Sequence, residues 1–182
     1  MKRKTLTYLI FDLDRTLFDT EFLIRQMDIP AIKDKRLFTT ETAKKINWHN
    51  FKPQDFVYPE IFKVLTALQK KGKALFLFTE GDVKGQLFKI KFTKLDKFFT
   101  QKRRFIFIKE KEKQIDKVFK KIPQSAKVWI FDNKLLVLKK AKAFDTQINT
   151  VLCCRGPLWK TEVSDFRPDY KIKSLDELEG IL

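Results

Sequence analysis

Residues 7–16 read TYLIFDLDRT, and this stretch decides the fold of the 182-residue chain. Its apolar part, Tyr8 to Phe11, does not alternate with polar residues, which predicts a short β-strand buried on both faces. The strand ends at two carboxylates one residue apart, Asp12 and Asp14. Ligands of open α/β folds bind at such strand ends. Because two close anions repel, the pair predicts a bound metal ion or an acid and a base with separate roles.

Further apolar runs alternate with amphipathic segments along the rest of the chain. This alternation predicts an α/β fold, a three-layer, doubly wound, Rossmann-like parallel sheet of about five strands. We expect the later long strands at 74–79, 104–108, 127–132 and 149–154, a short edge strand near 168–172, and helices at 59–72, 83–92, 109–119, 135–144 and 174–178. The strands that end at Asp12, Thr79 and Asp132 would place these three side chains at one edge of the sheet.

Residues 18–57 differ in character from the segments around them. Weak helical patterns at 21–27 and 34–46 are followed by a loop-like stretch at 48–53, where His49 next to Trp48 suits packing better than catalysis. We interpret residues 1–17 and 58–182 as a Rossmann-like catalytic core and residues 18–57 as a small helical insertion. An insertion at this end of the sheet is expected to cap the site. The alternative is that it packs elsewhere.

Composition indicates a globular, basic protein. Hydrophobic residues make up 43% of the chain, and 39 Lys plus Arg against 23 Asp plus Glu give a formal net charge of +16. This charge favours anionic partners, among them phosphate esters and nucleic acid, although a lysine-rich background would explain it equally well. No signal peptide or membrane span is expected. The adjacent Cys153 and Cys154 suit neither a mutual disulfide nor a zinc site, so we expect buried thiols and a cytoplasmic location.

The stretch from Phe11 to Leu17 resembles the first motif of the haloacid dehalogenase (HAD) superfamily, most of whose members are Mg²⁺-dependent phosphatases. The resemblance implies that Asp12 is the nucleophile that becomes phosphorylated and that Asp14 is the general acid and base. The same chemistry follows from the residues, because a carboxylate beside Mg²⁺ can attack phosphorus and a second carboxyl can protonate the leaving oxygen.

Three later segments resemble the remaining motifs of the family. Thr79, followed by Glu80, matches a strand-end hydroxyl residue that binds the phosphoryl group, which implies substrate binding at these two positions. A lysine near the start of the following helix should hold nucleophile and phosphate together. Lys111 fits because it lies four residues before Ile115 on the apolar face, and Lys109 and Lys113 stay open as alternatives.

The fourth motif places an acidic metal ligand at the end of a buried strand. The resemblance implies Mg²⁺ as the cofactor, bound by Asp12, Asp14 and Asp132. The match is incomplete, since relatives often carry a second Asp where this chain has Leu136. Asn133 or water would then complete the coordination shell.

These observations favour a phosphatase that hydrolyses a phosphorylated small molecule through an aspartyl-phosphate. The incomplete fourth motif and the +16 charge motivate an alternative, a catalytically weak relative that binds RNA or an acidic protein, with affinity that falls steeply with salt. A phosphorylation-switch receiver domain ranks lower, because such domains carry the acceptor Asp on their third strand rather than on the first.

Overall fold

The computed structural model describes residues 6–26, 38–156 and 165–182. Its strands are β1 (Thr7–Phe11), β2 (Ala74–Glu80), β3 (Arg104–Phe107), β4 (Lys127–Asp132), β5 (Asn149–Cys153) and β6 (Tyr170–Ile172). Its α-helices are α1 (Thr20–Gln26), α2 (Thr40–Lys44), α3 (Ile61–Lys70), α4 (Val83–Phe92), α5 (Ile115–Phe119) and α6 (Leu135–Phe144). Short 3-10 helices lie at 48–50, 53–56, 95–97, 101–103, 111–114 and 175–180.

The described strands form one parallel sheet in the order β3-β2-β1-β4-β5-β6. Strand β1 therefore lies between β2 and β4, and because these three strands are parallel, their carboxyl ends meet at the same edge of the sheet. The predicted three-layer, doubly wound parallel fold is confirmed. It has six strands where the sequence indicated about five long ones, because the short edge strand β6 also pairs, with β5.

The sheet separates two apolar layers. One face of β1, with Leu9 and Phe11, packs in a core that also holds α3, part of α4 and the C-terminal 3-10 helix. The other face, with Ile10, packs against α5 and α6. Strands buried from both sides need no polar alternation, which explains the continuous apolar runs in the sequence. Within the described residues, no helix has both the length and the apolar character needed to cross a membrane.

The structure differs from the sequence-based expectation mainly in two segments. The helix expected over 109–119 begins only at Lys111, because Glu110 adopts a left-handed conformation with φ of 56°. It is then split into a 3-10 turn at 111–114 and α5, because Gln114 has a non-helical backbone with φ of −110° and ψ of 11°. The C-terminal helix is 3-10 rather than α, although Ser174 and Glu177 form a capping box at its start. Cys153 is buried, Cys154 is half-buried, and both thiols are free.

The structure describes residues 18–26 and 38–57 of the insertion. Its first and last residues lie next to each other at the edge of the core. Phe18 and Val57 form an isolated antiparallel bridge, and Asp19 N donates to Phe56 O at 2.9 Å. The insertion shares the core of the sheet rather than forming its own. Its aromatic side chains pack on one another and on Phe88 and Phe92 of α4; those of the insertion are Phe22, Phe38, Trp48, Phe51 and Phe56.

Asp169 fastens the edge strand to the sheet, and we expect Asp169→Asn to destabilise the fold at neutral pH. Its carboxylate accepts two 2.8 Å hydrogen bonds from Thr150 and pairs with Lys142 at 2.9 Å. Partial burial opposes ionisation, but Lys142 and Thr150 hold the pKa of Asp169 below its usual value. Losing charged hydrogen bonds of this kind costs about 1–3 kcal/mol, measurable by urea unfolding at pH 7.

The stabilisation by Asp169 is present above its unfolded pKa and is lost as pH falls through its lower folded pKa. The gap between Asp169→Asn and the native chain should therefore close in acid. Asp165→Asn is the matched control, because Asp165 pairs with Lys139 at a site 86% exposed and such pairs contribute little. A stability gap that stays constant from pH 7 to pH 3 would contradict the assignment.

Candidate active site

A tight loop after β1 positions the two acids that the sequence singled out. Asp12 N continues the strand ladder by donating to Phe131 O of β4 at 2.9 Å. The chain then folds back, so that the carbonyl of the fully buried Leu13 accepts from the N–H groups of Leu17 and Phe18, each at 2.9 Å. Asp12 thus leaves the central strand at the carboxyl edge, where the neighbouring strands also end.

Lys111 joins two buried acids from different strands. Its Nζ lies 2.5 Å from Asp12 Oδ1 and 2.7 Å from Asp132 Oδ2, and its side chain is only 1% exposed. The Asp12 contact has hydrogen-bond geometry, whereas Asp132 Oδ2 is without a hydrogen bond among the described residues, so we treat that contact as an ion pair. Of the three candidate lysines, Lys111 is the one at the acids. Lys113 pairs with Glu110 at the surface instead.

The buried cluster of Asp12, Asp132 and Lys111 carries more negative than positive charge. With both acids ionised it sums to −1, and burial makes an uncompensated charge costly. Burial is the main reason that the pKa of Asp12 is raised to about 7, against the attraction of Lys111. The two acids raise the pKa of Lys111, although its burial acts in the opposite direction. The cluster is therefore suited to take up a proton or a cation.

Asp14 has a different environment, built by residues that sequence reasoning did not assign to the site. Lys89 Nζ lies 2.6 Å from Asp14 Oδ1, Gln86 donates to Oδ2 at 2.8 Å, and Thr20 of the insertion donates to Oδ1 at 2.8 Å. Burial alone would raise the pKa of Asp14, but these three contacts, led by Lys89, lower it. Asp14 is thus held as a carboxylate.

Lys89 is the main residue that the sequence did not reveal. Its side chain is 4% exposed, and its ammonium also lies about 5 Å from the ring centres of Phe18 and Phe38 in the insertion. Gln86, three residues earlier, shares its helix face and also contacts Asp14. The available signal was that Gln86 and Lys89 share the helix face that also carries the buried Ile90. In a chain with 39 basic residues, that signal is weak.

Glu80 connects the end of β2 to the cluster. Its carboxylate accepts from Lys111 N at 3.0 Å and lies 3.3 Å from Lys134 Nζ. Partial burial opposes ionisation, but the Lys111 N–H and Lys134 keep the pKa of Glu80 below its usual value. Glu80 therefore fixes the turn that carries Lys111, and its contact with substrate stays a prediction.

A cavity of about 370 Å³ opens beside these groups. The predicted residues Asp12, Asp14, Glu80 and Lys111 line it, together with Asn133. The insertion contributes to its wall as well, through Thr20, Leu23, Ile24 and Phe38. The volume lies within the range typical of small-molecule sites.

Two predicted residues do not line this cavity. Asp132 reaches it only through its contact with Lys111. Thr79 is fully buried, and its hydroxyl is without a hydrogen-bond partner among the described residues. Its role in binding substrate stays a prediction.

The three predicted metal ligands are not equivalent. Asp12 and Asp132 share Lys111, whereas the Asp14 carboxylate is occupied by Lys89, Gln86 and Thr20. Across residues 6–26, 38–156 and 165–182, no group of three His, Cys, Asp or Glu side chains is close enough to hold a metal by itself. A divalent ion would thus rely on Asp12 and Asp132, completed by main-chain oxygens and water.

Comparison with solved structures identifies the fold. A protein from Burkholderia xenovorans LB400 described as a haloacid dehalogenase-like hydrolase superposes with a TM-score of 0.74 at 20% identity, over 98% of this chain and 97% of that one. The HAD-hydrolase YfnB from Bacillus subtilis, described as bound to magnesium, gives 0.65 at 17% identity, over 98% and 99%. A protein from Clostridium difficile described as a phosphatase gives 0.69 at 16%, also over 98% and 99%.

These likenesses show that the chain has the fold of the HAD-like hydrolases over nearly its whole length. The resemblance seen in Phe11 to Leu17 is therefore confirmed at the level of the fold. Proteins described as dehalogenases are also among the similar structures, so the fold does not choose between reactions. No protein-family model matches the sequence, and no significant match to a curated protein was found.

Proposed function

We propose that this chain is a HAD-superfamily phosphatase that depends on Mg²⁺ and hydrolyses a phosphate monoester through a phosphorylated Asp12. The observation that carries the proposal is the buried cluster of Asp12, Asp132 and Lys111, which is one unit negative when both acids are ionised and which reaches a cavity of small-molecule size. The Asp12 carboxylate can act there as a nucleophile, because Lys111 and Asp132 fix the charges around it before substrate binds.

The residues fit a divalent cation. Asp132 Oδ2 is a buried oxygen without a hydrogen bond among the described residues, and Asp12 has a raised pKa that an added cation would lower again. Oxygen ligands supplemented by water suit Mg²⁺. We infer that Asp12 and Asp132 hold the ion with help from the main chain near Leu13 and Asp14. Bound Mg²⁺ would neutralise the phosphoryl oxygens as the nucleophile approaches.

The protein groups then divide the reaction. A carboxylate oxygen of Asp12 attacks phosphorus, the bond to the ester oxygen breaks, and the leaving alcohol takes its proton from the protonated form of Asp14, which is the minor form because its pKa is lowered. Water, losing its proton to Asp14, then attacks phosphorus and frees Asp12 and inorganic phosphate. Lys111 holds Asp12 in place throughout. Lys89 favours the ionised form of Asp14, which is the form that the second step needs.

A panel of substrates tests this proposal. It contains p-nitrophenyl phosphate, nucleoside monophosphates, sugar phosphates and, as a dehalogenase arm, 2-chloropropionate. We expect phosphate release from at least one ester, with p-nitrophenyl phosphate favoured because its leaving group needs little protonation. Removal of divalent ions with EDTA should lower the rate by about 100-fold or more, since the metal contributes several kcal/mol to such reactions.

The same panel contains the outcomes that would contradict the proposal. Chloride release without phosphate release would assign a dehalogenase. Absence of turnover from every arm would favour the alternative of a basic binding protein, consistent with the net charge of +16. Phosphate release that is unchanged by EDTA would retain the phosphatase but exclude the proposed metal.

A further inference from the structure

Arg15, directly after the second acid, has an unfavourable backbone conformation. Its φ is 60°, in the left-handed region that a residue with a side chain rarely adopts. The other non-glycine residues with positive φ among those described, Lys94 and Glu110, precede 3-10 helices, whereas Arg15 lines the cavity. Strain kept at a functional site indicates a role for the side chain.

The side chain of Arg15 is held in place by two neighbours. Its Nε donates to Glu21 Oε1 at 2.7 Å, and the guanidinium is partly buried, with the side chain 11% exposed. Its stem lies so close to Gly156 that a Cβ there would come within 2.7 Å of Arg15 Cδ. Gly156 itself has φ of 66°, so glycine suits this position for two reasons. The arrangement orients the guanidinium before any ligand binds.

Arg15 also differs from the other basic residues around the cavity. Lys111 and Lys89 are almost fully buried and are engaged by Asp12, Asp132 and Asp14. Of the Arg15 guanidinium nitrogens, only Nε has a hydrogen-bond partner among the described residues. Its two Nη groups present parallel N–H donors, an arrangement that can bind two oxygens of one anion at once. Lys134, 36% exposed and beside Glu80, offers a single-point charge instead.

We propose that Arg15 is a specificity residue, which binds a second anionic group, a carboxylate or a phosphate, on the alcohol part of the substrate. The proposal rests on the proposed function, since it takes the phosphoryl group to lie at Asp12. The cavity of about 370 Å³ has room for more than a phosphoryl group, and Asp12 and Arg15 both line it. The preferred substrates are then phosphate esters that carry two separate anions.

The test measures binding, so that it does not depend on turnover. Isothermal titration calorimetry in Mg²⁺ buffer compares Asp12→Asn with the double variant Asp12→Asn/Arg15→Gly. The carboxylate arm pairs 3-phosphoglycerate with glycerol 1-phosphate, and the phosphate arm pairs 1,3-propanediol bisphosphate with propyl phosphate. We expect the compound with the second anionic group in at least one pair to bind Asp12→Asn about tenfold or more tighter than its partner, as charged hydrogen bonds predict, and Arg15→Gly to remove that preference.

Variants separate recognition from folding. Glycine accepts positive φ, which offsets the lost contact with Glu21, so Arg15→Gly should remain folded with a cooperative thermal transition, and a lost preference then reports on the guanidinium. Arg15→Lys keeps the positive charge but not the pair of parallel N–H donors, so it should lose part of the preference. Gly156→Ala leaves Arg15 intact but displaces its stem, and it should weaken the same preference.

Affinity ratios that are equal with and without Arg15 would overturn the proposal, as would failure of Asp12→Asn to bind or to discriminate in either arm. Phosphate release by the native chain from propyl phosphate or glycerol 1-phosphate is measured in parallel. Turnover without discrimination would reject the role of Arg15 alone. Discrimination without turnover would reject the phosphatase and retain Arg15 as an anion-binding residue.

Discussion

Asp12→Asn is expected to lower metal-dependent phosphate release by a factor on the order of 10³ or more while leaving the chain folded. The amide keeps the size of the carboxylate but cannot form an acyl phosphate, and removal of a nucleophile has effects of this order. The measurement is kcat on the best ester from the panel, combined with the far-UV circular dichroism spectrum of each protein.

The stability of this variant tests the charge balance of the cluster. Asp12 has its pKa raised to about 7, chiefly by burial, so the folded chain retains a proton that the unfolded chain releases. For such a group, stability is fully present below the unfolded pKa of 3.8 and is lost as pH rises through about 7. Asparagine removes this loss. Without metal at pH 8, we expect Asp12→Asn to melt at or above the temperature of the native chain.

Asp96→Asn serves as the matched control, because Asp96 is exposed and lies outside the cavity. It should retain both activity and Tm. Retained turnover in Asp12→Asn would reject Asp12 as the nucleophile. A large fall in the Tm of metal-free Asp12→Asn would instead contradict the prediction that ionised Asp12 destabilises the folded state.

Lys111→Met is expected to have the second large effect, on stability and on activity together. It removes the ammonium that lies within 2.7 Å of both Asp12 and Asp132 and leaves two buried carboxylates facing each other. Breaking a buried ion pair in this way costs about 3–5 kcal/mol. Urea unfolding without metal measures this cost, and we expect kcat to fall as well, because Asp12 loses its positioning contact.

Two additions make the Lys111 experiment specific. The double variant Lys111→Met/Asp132→Asn should recover much of the lost stability, since it removes one of the two unpaired acids. Mg²⁺ should raise the Tm of Lys111→Met more than that of the native chain, because binding to the folded state stabilises it by mass action. A double variant no more stable than Lys111→Met would show that packing, rather than charge, explains the loss.

The sheet could be predicted from the sequence because its strands are continuous apolar runs. Apolar runs such as Tyr8–Phe11 must be buried on both faces, and the parallel arrangement follows from the helices between them. Helix types were harder to predict. The late start at Lys111 depends on the left-handed Glu110, and the break before α5 depends on Gln114, and neither side chain gives a local signal for these conformations.

The site was predictable where charge interrupts an apolar run and unpredictable where it does not. Asp12, Asp14 and Asp132 end or follow buried strands, so their position alone marked them. Lys89 lies within a helix, and only packing shows that it reaches Asp14. The contribution of Thr20 was likewise hidden, since it depends on how the insertion folds back over the loop.

The bridge between Phe18 and Val57 has a consequence for how proteins of this architecture diversify. Because the two ends of the insertion are paired with each other, β1 and α3 keep their spacing whatever the length of the chain between them. Evolution or protein engineering could replace the insertion with a larger or smaller one and so reshape the entrance to the cavity. The acids at the sheet edge would keep their places.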